Sequence, residues 1–128
     1  MERNPSLVSV VDDDESVRES LPDLLRCFGF DADAFPSAEA FLASNAVSET
    51  SCLLLDIAMP GMSGPDLQGE LKRRRVTIPI VFITGDGDRT VRPRLLERGA
   101  VECLLKPFSE TALLDALRAA LPPPHPGR

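Results

Sequence analysis

The chain has 128 residues, 43% of them apolar, with 20 acidic against 14 basic side chains and a net charge of −6. That length suits one domain, able to bury about two-thirds of its unfolded surface without a disulfide staple. The acidic balance argues against direct nucleic-acid binding, which needs clustered Lys and Arg, and no apolar run approaches the roughly 18 residues that would span a bilayer.

Met1-Glu2-Arg3-Asn4-Pro5 lacks the apolar stretch of a secretory signal, so a cytoplasmic location is expected. Leu7–Val11 is a near-continuous apolar run, the mark of a strand buried on both faces. A helix should follow from about Ser16, with Val17, Leu21, Leu24, Leu25 and Phe28 on one face and Gly29 as its stop. Pro22 interrupts that pattern and should either kink the helix or force an early irregular turn. Next come a short edge strand near Asp31–Phe35 and a helix capped by Ser37 that runs through Phe41-Leu42.

Ser51–Leu55 is the second buried run. Pro60-Gly61-Met62-Ser63-Gly64-Pro65 reads as a loop, with Pro65 in the first turn of a helix ending near Arg75. Ile78–Ile83 is the third buried run, followed by a flexible turn at Gly85-Asp86-Gly87-Asp88. The next helix should start near Thr90, with Pro93 in its first turn, and stop at Gly99. Val101–Leu105 is the last strand, its alternation broken by Glu102. Ser109 should cap a final helix with Leu113, Leu114, Leu117 and Leu121 on one face.

Five strand–helix units imply an α/β fold, a parallel sheet with helices on both faces and right-handed crossovers. Residues 1–121 are expected to form the domain. The remaining residues 122–128, Pro122-Pro123-Pro124-His125-Pro126-Gly127-Arg128, read as a tail or the start of a linker. His125, the sole histidine, lies in that tail, so histidine-dependent catalysis within the fold is not expected. Cys27, Cys52 and Cys103 have no CxxC spacing and read as small buried hydrophobes. Lys72-Arg73-Arg74-Arg75 falls at a helix end, where cations favour the dipole, and reads as solvated.

In open parallel sheets, ligands bind beyond the carboxyl ends of the strands. Four runs finish there in polar residues: Leu7–Val11 in Asp12-Asp13-Asp14, Ser51–Leu55 in Asp56, Ile78–Ile83 in Thr84, and Val101–Leu105 in Lys106. Asp14, directly before the first helix, is better read as its cap. Carboxylates crowded together repel unless a hard cation compensates, and Mg²⁺ prefers oxygen ligands while keeping several waters. A carboxylate nucleophile, such a cation, a hydroxyl and an ammonium together suit phosphoryl transfer to aspartate. Alone, each residue would be a loop acid, a strand-end hydroxyl or a solvated lysine; the joint pattern is what carries the reading.

Val10-Val11-Asp12-Asp13, Leu54-Leu55-Asp56 through Met59-Pro60-Gly61-Met62-Ser63-Gly64, Ile83-Thr84-Gly85 and Leu105-Lys106-Pro107-Phe108 occur in an order and spacing that resemble the receiver domain of bacterial two-component response regulators. Ser37-Ala38-Glu39-Ala40-Phe41-Leu42 and Thr84-Gly85-Asp86-Gly87-Asp88 look most like its FixJ branch. The resemblance implies a CheY-like, flavodoxin-like (βα)5 fold with strand order 2-1-3-4-5. It implies that Asp56 accepts a phosphoryl group from a sensor histidine kinase or phosphotransfer protein. Asp13, Asp56 and the Ala58 backbone carbonyl would ligate Mg²⁺, for which Mn²⁺ could substitute, with Asp12 acting through a water. Thr84 and Lys106 would bind the phosphoryl group, and the Lys106-Pro107 bond would be cis. The face built from the fourth helix, fifth strand and fifth helix would then switch a downstream effector or fused output domain, with homodimerisation on phosphorylation as a further expectation. Such a domain assists only its own phosphorylation and dephosphorylation and is otherwise no enzyme.

Three departures stand out. The family usually has an aromatic residue where this chain has Cys103, so switching should rely on Thr84 and the loop after it. Ala58, two residues past the acceptor, and Asp86 leave the lifetime of the phosphoryl group open. Pro22 and Pro93 sit in helices usually free of proline. Three rivals compete with the switch: a phosphorylation-independent interaction module of this fold, an aspartyl-phosphate phosphatase and a flavin-binding protein. The phosphatase would need a second acid where Ala58 stands; a flavin site would want loop aromatics, and the chain has no Trp or Tyr.

Overall fold

The computed structural model describes residues 7–85 and 90–121. The turn expected at Asp86-Gly87-Asp88 and the tail holding His125 lie outside the described residues. Within them the chain alternates β1 (Leu7–Val11), α1 (Glu15–Cys27), β2 (Asp31–Phe35), α2 (Ala38–Leu42), a 3₁₀ turn (Asn45–Ser48), β3 (Cys52–Asp56), α3 (Gly64–Arg73), β4 (Ile80–Thr84), α4 (Val91–Glu97), β5 (Glu102–Leu105) and α5 (Glu110–Ala120). All four strand pairings are parallel and the sheet order is β2-β1-β3-β4-β5.

Strand parity divides the core in two. Successive side chains in a strand point to opposite faces, so Leu53 and Leu55 of β3 face α2, α3 and α4, where they meet Phe41, Leu67 and Leu95. Cys52 and Leu54 face the other way, toward Leu21 and Leu25 of α1 and Leu113 and Leu117 of α5. β1, β3 and β4 are buried at every position, as strands covered on both faces must be, while the edge strand β2 exposes Asp31 and Asp33.

Side-chain caps start most helices. Asp14, Ser37 and Ser109 accept backbone N–H groups of the first turns of α1, α2 and α5, and Ser63 with Asp66 forms a reciprocal capping box on α3. Pro65 lies in the first turn of α3, and Pro93 is the third residue of α4, where its missing N–H would be unpaired in any case.

Three expectations are corrected and one further element is found. Pro22 forces no early turn: α1 runs unbroken from Glu15 to Cys27 with Pro22 buried inside it, so core packing outweighs the absent hydrogen bond to the Arg18 carbonyl. Cys27 is exposed, unlike Cys52 and Cys103, because it falls on the outer side of the last turn of α1. Leu114 is only half-buried and stands outside the α5 packing face, which Ala116 completes instead. The 3₁₀ turn Asn45–Ser48, started by the Ser44 hydroxyl on the Ala46 N–H, fills a stretch with no helical periodicity.

Candidate functional site

Two neighbouring strand ends deliver the acidic groups to one rim, Asp12 and Asp13 directly after β1 and Asp56 at the end of β3. The carboxylate oxygens of Asp12, Asp13 and Asp56 come within 4.8 Å of one another. Asp12 is fully buried and Asp56 nearly so, whereas Asp13 is exposed. Asp56 is the last residue of β3 and lies opposite Ile83, which sets the next residue, Thr84, beside it at the end of β4. Thr84 is itself buried, and its carbonyl accepts the Lys106 N–H at 2.8 Å. Backbone pairing thus places the lysine at the rim, followed by a cis Lys106-Pro107 bond.

Asp12 is the most tightly held of the acids. Its Oδ1 accepts the Asp14 N–H at 2.9 Å, and its backbone carbonyl accepts Arg18 Nη1 at 3.0 Å. Its Oδ2 lies 3.0 Å from Lys106 Nζ as an ion pair without an aligned hydrogen bond. Lys106 therefore leans on Asp12 in this state. Burial alone would lower the ammonium, but Asp12, Asp56 and Asp14 outweigh it and hold it above its usual value.

Asp56 carries the strain of the arrangement. Desolvation first, then the charge of Asp12, push its carboxyl up to about 7 against the opposing pull of Lys106. A carboxylic acid that holds its proton near neutrality amid two other acids is short of positive charge. Oxygen donors in this number, with one buried Asp12 oxygen lacking an aligned donor, suit a hard divalent cation. The Ala58 carbonyl, in the exposed loop after β3, accepts no hydrogen bond among the described residues and has lone pairs to offer.

The loop after Asp56 is held from two sides. Gly64 opens α3 so close to β3 that a Cβ there would overlap the Asp56 carbonyl oxygen and stand 3.1 Å from the Phe82 ring. Across the loop, Glu39 Oε2 accepts the Met62 N–H at 3.2 Å. Sequence reading missed both the Glu39 contact and the Arg18 contact, since each joins segments through space; the one hint was Glu39 inside the Ser37–Leu42 phrase. Cys103, by contrast, is not at the rim. It lies opposite Phe82 and is buried in the α2–α3–α4 core, where burial chiefly raises its thiol.

The response regulator receiver domain family model matches residues 8–118. Nodulation protein W of Bradyrhizobium diazoefficiens is 49% identical over 115 residues, covering 90% of this chain and 51% of that protein. Response regulator protein TodT of Pseudomonas putida is 43% identical over 121 residues, covering 94% and 53%. The chain therefore spans about half the length of these relatives. Among solved structures, FixJ-N superposes with a TM-score of 0.80 at 37% identity, covering 94% of both chains. No helix among the described residues is long and apolar enough to cross a membrane.

Proposed function

The chain belongs to the response regulator receiver domain family, and from that premise we propose that it is a phosphorylation switch whose acceptor is Asp56. The observation that carries this is the rim itself, with three carboxylates within 4.8 Å of one another and the Lys106 ammonium set against them. The donor would be a phosphohistidine of a sensor histidine kinase or phosphotransfer protein. An Asp56 oxygen forms the new P–O bond while the P–N bond breaks and the imidazole nitrogen keeps the electron pair.

Asp56 must be ionised to attack, yet alone it holds its proton up to about pH 7. A Mg²⁺ or Mn²⁺ ion, when bound, supplies the positive charge that frees the carboxylate and screens the incoming phosphoryl oxygens. Asp13, Asp56 and the Ala58 carbonyl would hold it, with Asp12 reaching it through a water.

Phosphorylation changes Asp56 from one negative charge to nearly two, with three strong acceptor oxygens. Lys106 then has a stronger partner than Asp12, and the Thr84 hydroxyl a new acceptor beside it. Both shifts bear on the α4–β5–α5 face, through which a downstream effector, a fused output domain or a second copy would read the state. The family match over residues 8–118 gives the extent of this unit. Beyond its own phosphorylation and dephosphorylation the domain is no enzyme, and it acts in the cytoplasm without binding nucleic acid itself. A phosphorylation-independent interaction module is the second reading, favoured only by the burial of Cys103 in the core in place of a rim aromatic.

Intact mass after incubation with acetyl phosphate and Mg²⁺ tests the proposal. One added phosphoryl group on the wild type and none on Asp56→Asn is expected. No adduct on the wild type, with no Mg²⁺ binding, would leave the interaction module standing.

A further inference from the structure

At the opposite end of the sheet from the carboxylates, the last turn of α3, the start of β4 and the turn between α4 and β5 enclose a cleft of about 320 Å³. Ile80 at its floor pairs with Leu53, three residues before Asp56, so the two sites are separated by about 10 Å along the strands. Lys72, Arg75 and Arg98 line the cleft, and no acidic side chain does. In a chain with six more acids than bases, that is a marked segregation of charge.

Two facts separate these cations from an ordinary solvated helix end. Arg73 and Arg74, next to them in sequence, are both paired with Glu70, whereas Lys72, Arg75 and Arg98 have no carboxylate within ion-pair distance among the described residues. The carboxyl ends of α3 and α4 meet here, but each contributes only about half a negative charge, so three cations exceed what the two dipoles compensate.

The wall of the cleft is organised as well. Gln68 Nε2 and Lys72 Nζ both donate to the Arg98 carbonyl, at 3.2 and 3.0 Å, tying the two helix ends together. That bond orients the Gln68 amide, and its Oε1 has no donor among the described residues although the side chain is 4% exposed. A buried acceptor left unpaired is costly. Leu71, Val76 and Ile78 supply apolar surface beside it.

We propose that this cleft binds a phosphate monoester carried on a small, partly apolar body. The dianion would sit among Lys72, Arg75 and Arg98, with the body against Leu71 and Val76. A monocarboxylate would leave most of the positive charge unmatched. The site is independent of Asp56 and of the switch proposed above.

Phenyl phosphate, inorganic phosphate and benzoate titrated separately into the Mg²⁺-free protein at low salt, followed by backbone amide shifts, test the assignment. Phenyl phosphate is expected to shift Lys72, Val76 and Gly99 and to bind more tightly than either other probe. Arg98→Ala should weaken it about tenfold and Arg98→Lys much less, while Arg73→Gln, whose arginine is already engaged by Glu70, should change it less than about twofold. Both Arg98 substitutions leave the carbonyl bonds to Gln68 and Lys72 in place. No cleft shifts up to about 10 mM, shifts confined to the Asp56 rim, affinity for inorganic phosphate or benzoate equal to that for phenyl phosphate, or equal losses in the Arg73 and Arg98 variants would each overturn the proposal.

Discussion

Two proline-bearing helices, α1 and α4, are held in opposite ways. α1 has 13 residues, buries Leu21, Pro22 and Leu25, and starts from an Asp14 side chain that accepts both the N–H and the hydroxyl of Ser16. It is also tied to its surroundings, by Arg18 to the Asp12 carbonyl and by Arg26 to the Ala32 carbonyl. α4 has seven residues, only Leu95 buried, and no side-chain cap on its first turn. Its clearest polar tether is Arg92 to Glu102 of β5, at 2.6 and 2.9 Å, with Glu102 also taking the Cys103 N–H. The difference teaches where the fold can yield. A proline in the interior of a well-packed helix is overridden, while the helix with Pro93 in its first turn rests on Leu95, on the half-buried Val91 and Leu96, and on one partly exposed ion pair.

The largest effects should come from a buried leucine on each helix, Leu25 of α1 and Leu95 of α4. Leu25→Ala is expected to cost about 3 kcal/mol and Leu95→Ala about 2 kcal/mol in denaturant unfolding, because the shorter helix can collapse around the gap. Equal losses, or a larger one at Leu95, would break the contrast.

Asp56→Asn should stabilise the Mg²⁺-free protein at pH 8, seen as a higher urea midpoint than that of the wild type. A carboxyl raised from 3.8 to about 7 favours the fold while both states are protonated. The penalty begins as the unfolded chain ionises near pH 4 and is complete above pH 7. The advantage of the variant must therefore close as pH falls from 7 to 4, and saturating Mg²⁺ should reverse it. Since the rim is tied to α1 through Asp12, slower hydrogen exchange in α1 with α4 unchanged would sharpen the comparison further.

The smallest effect concerns the tether. Glu102→Gln should cost about 0.5 kcal/mol and speed amide exchange in α4 about twofold. No change in exchange there would show that the apolar contacts of Val91, Leu95 and Leu96 fix the helix without it.

The alternation of buried runs with helical stretches made the strands and caps legible, because both follow from neighbours in sequence. Leu7–Val11 and Asp31–Phe35 match their strands, and Ser37 and Ser109 their caps. The convergence of Asp12, Asp13 and Asp56 was equally legible, since they stand at the carboxyl ends of two strands of one parallel sheet. The strand order itself came with the family resemblance, as periodicity says nothing of which strands are neighbours. What stayed hidden are contacts across many residues: Glu39 on Met62, Gln68 on Arg98 and Arg92 on Glu102. Cys27 was misread because a cysteine near a helix end can face either way, and periodicity fixes its side only when the helix boundary is known.

Gly64 sets a mechanical condition on everything downstream of Asp56. With no room for even one methyl between the first turn of α3 and the backbone carbonyl of Asp56, strand and helix cannot slide past each other. Their Ile57–Gly64 hydrogen bond of 2.9 Å pins the same junction. Asp56 is thus mounted on a stiff bracket of β3 and α3, and the change of charge proposed for it would not be absorbed by recoil on that side. The displacement would instead pass across the sheet, toward β4 and the short helix beyond it.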